Sequence, residues 1–136
     1  VVENPRTLKD IITAKLATTM EEEEAWRIQA DMDKAAKRDA ELRAHPLAPI
    51  LDDVIRQVMH GKGERHGGAV TPFMEQPWLH YAKLHGRGFL TGQAAKKLEE
   101  AASTKQGDAF VQEMLGAIAY IGMAILYSQQ LSEKKR

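Results

Sequence analysis

Residues 110–127, FVQEMLGAIAYIGMAILY, form an eighteen-residue stretch with a single charge, Glu113. A membrane-crossing helix needs about 20 apolar residues, so the run predicts a buried core helix over 109–130. Small residues recur along it: Ala109, Gly116, Ala117, Ala119, Gly122 and Ala124. Each lets another helix approach closely. The rest of the chain must supply the surfaces that cover this helix.

Those surfaces also read as helical. NPRTLKDIITAKLA places Thr7 three residues before Asp10, the spacing of a capping box with a short acid. Leu8, Ile11, Ile12 and Leu16 follow at helical spacing. Thr18 and Thr19 each stand three residues before a glutamate, a second candidate helix start. Residues 7–44 are therefore one long helix or two helices broken near Thr19. Over 20–44 the apolar stripe is thin, and alanine and alternating charge dominate. Such a helix is exposed or lies along a partner.

Pro46 and Pro49 break the pattern. ILDDVIRQVMHG then sets Ile50, Leu51, Val54, Ile55, Val58 and Met59 on one face, with Gly61 closing the helix. Pro77 suits the first position of a short helix, PWLHYAKLHG, ended by Gly86. GRGFLTGQ reads as a second glycine-rich turn, in which Gly92 opens the next helix. Asp108 reads as the N-cap of the last one. No strand signal competes. The expected fold is all-α, a bundle of five or six helices with a long N-terminal helix and a buried C-terminal helix. At 136 residues it is expected to be a single helical domain, with an arm over 1–44 and a compact core over 45–136.

Cysteine is absent, which excludes disulfides and thiolate chemistry. The first twenty residues carry charge throughout and show no secretory pattern. A cytoplasmic protein with no membrane association is expected. The net charge of zero conceals a basic middle. Residues 56–97 hold 7 Lys/Arg against 2 Asp/Glu, a balance of +5, with four of the five histidines.

That basic middle contains two turns of similar composition, HGKGERHGG at 60–68 and GRG at 86–88. Glycine-rich backbone can aim N–H groups at an anion, and a helix N-terminus adds partial positive charge. Lys62, Arg65, His66, Arg87 and Lys96 are the candidate phosphate ligands, with the arginines able to bind bidentately. The plainer alternative is that Gly61 and Gly86 cap helices while the other glycines serve a loop. Neither a Walker sequence nor a dinucleotide fingerprint is present.

Other groups carry paired readings. His60, His66, His80 and His85 are either metal or acid–base groups or locally bonded histidines. Glu21 and Glu24, at i and i+3, can share a Mg²⁺ ion, or can simply favour the positive start of a helix. Trp78 and Tyr81 among cations can stack a base, or can belong to the core.

Residues 50–127 resemble the phage-associated family of the dATP/dGTP diphosphohydrolase N-terminal domain. The likeness is carried by LDDVIRQVMHGKGERHGG, PW, GQAAKKLEEA and DAFVQEMLGAIAYIGMAILY. His66 stands where that family favours tyrosine, and the last helix lacks the family's histidine. The wider all-α nucleoside triphosphate pyrophosphohydrolases pair ExxE with ExxD on the next helix. Glu21-x-x-Glu24 matches the first half and no ExxD follows. The resemblance implies a nucleoside polyphosphate hydrolase of phage type using Mg²⁺.

The resulting expectation is a nucleotide- or phosphate-binding helical homodimer, with Trp78 stacking the base and Glu21 and Glu24 holding metal. The alternative is a non-enzymatic helical interaction protein that docks on a host protein or nucleic acid.

Overall fold

A computed structural model describes residues 7–61, 64, 66–104 and 107–135. The fold is all-α: five α-helices and a short 3-10 turn, with no strand among the described residues. The helices are α1 (Leu8–Ala44), α2 (Ala48–His60), α3 (Pro77–His85), α4 (Arg87–Ser103) and α5 (Asp108–Glu133). The chain divides into two units, residues 1–45 and 46–136.

The first unit is α1. Its start is a complete capping box. Asp10 N–H donates to Thr7 Oγ1 at 3.2 Å, and Thr7 N–H donates to the Asp10 carboxylate at 3.0 Å. The helix runs unbroken through the two threonines. Thr18 donates its hydroxyl to the Ala14 carbonyl at 3.0 Å, and Thr19 to the Lys15 carbonyl at 2.9 Å. Bonding backward in this way leaves the backbone helical and removes both hydroxyls as caps. Every residue of α1 is exposed.

The second unit gathers α2 to α5. Pro49 lies in the first turn of α2, where its missing N–H costs little, and Pro77 does the same for α3. One residue, Gly86, closes α3 and opens α4 at φ 76° and ψ −174°. A side chain tolerates that conformation poorly. The second glycine-rich turn expected at 86–92 is therefore only one residue long. Gly88 and Gly92 lie inside α4. At the start of α5, Gly107 rather than Asp108 occupies the N-cap position, and Asp108 sits in the first turn. There its charge still faces the positive helix end.

The main core lies between α3, α4 and α5. Trp78, Leu79, Ala82, Leu90 and Tyr127 form its buried cluster, with Phe73, Phe89, Tyr120, Met123 and Ala124 packed around them. Helical periodicity explains the assembly. Leu90, Ala94, Lys97 and Ala101 fall on one face of α4, and Glu113, Gly116, Ala117, Tyr120, Ala124 and Tyr127 on one face of α5. These two helices make the most extensive contact in the chain. α2 packs against α5; Val54 is its one buried residue, and Gln57 donates to the Gln112 carbonyl at 3.2 Å. By length and composition α5 could cross a membrane; in this unit it packs against α2, α3 and α4.

Candidate functional site

A cavity of about 320 Å³ opens where α2, α3, α4 and α5 come together. Its apolar walls include Trp78, Tyr81, Phe89, Tyr120 and Met123. Three side-chain amides, Gln57, Gln76 and Gln93, and three basic groups, His66, Lys96 and Lys97, complete the lining. The volume is near the lower end for small-molecule sites, with an apolar lining and a few convergent polar groups.

The elements that hold these side chains are fixed locally. Gln76, just before α3, is 4% exposed. Its amide donates to the carbonyls of Gly68 and Thr71, both at 3.0 Å, and so ties the 66–71 loop to the start of α3. Trp78 donates its indole N–H to the Phe73 carbonyl at 2.8 Å, fastening the 3-10 turn Phe73–Glu75 to the core. The loop can lie this close because Gly68 has φ +51°, and a Cβ there would stand 2.6 Å from the Met59 carbonyl oxygen. That contact is a steric demand on glycine which owes nothing to an anion.

Lys97 and Glu113 form the electrostatic feature of the cavity wall. The ammonium lies 2.7 Å from the Glu113 carboxylate and 3.0 Å from that of Glu100, with the Lys97 and Glu113 side chains only 22% and 14% exposed. The hydrogen bond to Glu113 does most to hold the Lys97 ammonium above its ordinary range. Burial pulls the other way, and Glu100 adds a second upward contribution. Gly116 gives the Lys97 stem its room, since a Cβ there would stand 3.3 Å from the lysine Cδ.

A lysine whose pKa is raised on folding adds stability that is complete below its ordinary 10.5 and disappears as pH climbs through the folded value. Lys97→Met, which removes the ammonium 2.7 Å from the largely buried Glu113 carboxylate, is expected to cost about 1–3 kcal/mol at neutral pH. Urea midpoints of the two proteins should differ by a constant amount up to about pH 10 and converge above it. A difference that persists unchanged at higher pH would assign the loss to packing of the lysine stem.

Gln57 presents an unusual polar atom. Its amide N–H donates to the Gln112 carbonyl at 3.2 Å, while its shielded Oε1 has no hydrogen-bond partner among the described residues. Leaving such an acceptor unpaired costs about 1–3 kcal/mol.

The sequence candidates are distributed unevenly about this cavity. His66, Lys96 and Trp78 line it. Trp78 is a core residue, as the plainer of its two readings has it, and it also reaches the cavity wall. Lys62 and Arg65 lie outside the described residues. Arg87 lines a separate, open depression with Thr91, Ser128 and Ser132, so the His66 and Arg87 turns do not share a cavity. Glu21 and Glu24 are exposed on α1, in the first unit. Among the described residues, no three His, Cys, Asp or Glu side chains group to hold a metal ion.

Sequence reasoning passed over Gln57, Gln76, Gln93, Lys97 and Tyr120. A signal existed for Lys97, because it falls on the same helical stripe as Leu90, Ala94 and Ala101. A charge at a position that periodicity assigns to the interior implies a buried partner.

Fold and site together define an all-helical protein with a cavity lined by aromatic rings and side-chain amides. No family model matches the chain, and no curated protein or solved structure matches it significantly.

Proposed function

We propose that this chain binds a nucleotide through its base, with the base in the cavity and the phosphates outside near Lys96 and His66. The observation that carries the reading is the combination of aromatic walls with three amides in about 320 Å³. That is room for roughly ten waters, the scale of a base with its sugar rather than a whole triphosphate. Aromatic faces attract a planar ring, and amides match the donors and acceptors at its edge. Lys97 is held by Glu113 and Glu100, whereas Lys96 is only loosely paired, 3.7 Å from Glu100, and more exposed, so it is the better placed to meet phosphate.

The finer reading is a phage-type nucleoside polyphosphate hydrolase of the cytoplasm, and it rests on the resemblance. That resemblance would have Glu21 and Glu24 hold a Mg²⁺ ion, an ion commonly bound through one or two carboxylates.

Calorimetric titration with nucleoside mono- and triphosphates of each base, with and without Mg²⁺, tests this. A micromolar dissociation constant is expected for at least one base. Lys96→Ala should weaken the triphosphate about tenfold or less, because it is exposed. Gln93→Leu should weaken mono- and triphosphate alike. Glu21→Gln with Glu24→Gln should abolish only Mg²⁺-dependent turnover. A panel without heat or fluorescence change would overturn the proposal. The fully exposed α1 favours the second reading, an interaction protein for a host protein or nucleic acid; steeply salt-dependent binding to nucleic acid would point to its nucleic-acid form.

A further inference from the structure

Gln76 is bound at every polar group but one. Its backbone N–H donates to the Phe73 carbonyl at 3.3 Å, and its carbonyl accepts from the Leu79 N–H at 3.2 Å. The side-chain amide nitrogen carries two donors, and they go to the carbonyls of Gly68 and Thr71. The stem is confined as well: a Cβ on Gly67, whose φ is +116°, would stand 3.3 Å from the Gln76 Cγ. What remains is the side-chain oxygen, Oε1, which receives no hydrogen bond among the described residues.

The partners fix the sense of this amide. Both carbonyls can only accept, so turning the amide over would set Oε1 against them at 3.0 Å and leave both without a donor. Gln76 is 4% exposed and borders the cavity. Among the described residues, the fully shielded side-chain atom without a partner is the Gln57 Oε1, not that of Gln76. The Gln76 oxygen therefore keeps an opening, and the space that Gln76 borders is the cavity. The other two amides differ. Gln57 is held by the Gln112 carbonyl with its oxygen shielded. Gln93 has no hydrogen bond to hold it among the described residues and can offer either end. An occupant of the cavity thus meets Gln76 as an acceptor only. One that brings no donor strips water from the oxygen and leaves it unpaired, which disfavours binding.

We infer that Gln76 is the specificity residue of this cavity, its Oε1 accepting a hydrogen bond from an N–H on the edge of the bound base. The inference rests on the nucleotide reading above and deepens it. The occupant must carry a donor as well as a planar ring: heterocycles with an exocyclic amine or a ring N–H are accepted, and rings of the same size without one are rejected. Trp78 and Tyr81 beside it supply ring surface and make no such demand.

Calorimetric titration of the full chain with ribonucleoside monophosphates, paired by the presence or absence of an edge N–H, tests this. The pairs are adenosine against purine riboside, cytidine against pyrimidin-2-one riboside, uridine against 3-methyluridine, and guanosine against 1-methylguanosine and inosine. Changing the ligand keeps the amide's ties to Gly68 and Thr71, which substitution of Gln76 would break. For whichever parent binds, removing the N–H is expected to weaken binding about tenfold or more. The Gln76 side-chain carbonyl ¹³C resonance should move on addition of that parent and stay in place with its analogue. Equal affinity within the pair, or a carbonyl resonance that ignores the parent, overturns the inference and leaves the nucleotide reading standing. Failure of every parent to bind overturns that reading, and the inference with it.

Discussion

Trp78→Ala is expected to destabilise the second unit by roughly 3–5 kcal/mol, the range for removing a buried aromatic. Two losses combine there. The indole packs on Phe73, ring centroids 5.2 Å apart, and within the cluster of Leu79, Ala82, Leu90 and Tyr127. Its N–H also holds the Phe73 carbonyl at 2.8 Å. Trp78→Phe separates the two losses. It retains most of the apolar contact and gives up the hydrogen bond, so about 1–2 kcal/mol should be lost. Urea denaturation of the three proteins measures both. If Trp78→Phe costs as much as Trp78→Ala, the hydrogen bond dominates and the 3-10 turn depends on it. If neither costs more than about 1 kcal/mol, the indole is peripheral and the core has been misidentified.

Leu90→Ala should cost about 2–5 kcal/mol. Among the described residues, Leu90 is the one large side chain that is fully enclosed, at 0% exposure. Truncation leaves a hole bounded by α3 and α5, and neither can close freely. Gly86 ties α3 to α4 with a single residue, and Lys97 pins α4 to Glu113 on α5. A unit of this size typically loses about 4–8 °C of midpoint per kcal/mol, so a fall of about 10 °C or more is expected. Leu98 on the same helix, 46% exposed, provides the comparison, and its alanine variant should change the midpoint little. Equal effects at the two positions would mean that α4 is not packed as described.

Much of the helical architecture could be read from the residues. Thr7 and Asp10 announced the start of α1, and Pro77 that of α3, because caps and proline act within a few residues of backbone. Leu90, by contrast, lies in GRGFLTGQ, whose glycines suggest a turn, so the buried face that it forms with Ala94 and Ala101 was not legible. The candidate site was much less legible. His66, Lys96 and Trp78 line one cavity, yet their reach toward one another depends on how α2, α3, α4 and α5 pack. Gln57 and Tyr120 lie 63 residues apart in sequence and share that cavity wall. No local pattern encodes such a meeting. The two glycine-rich turns looked alike in composition and differ in fact: one is a loop held by Gln76, the other a single glycine between helices.

By itself, the order of residues determined the helical class, the ends of α1 and α3 and the apolar face of α2, since these follow from backbone hydrogen bonding and a 3.6-residue period. Tertiary structure alone decided which faces are paired. It gave the small residues Gly116 and Ala117 to α4 and left Ala119 and Gly122 open, because helix packing depends on the shape of both surfaces and a sequence displays only one of them at a time.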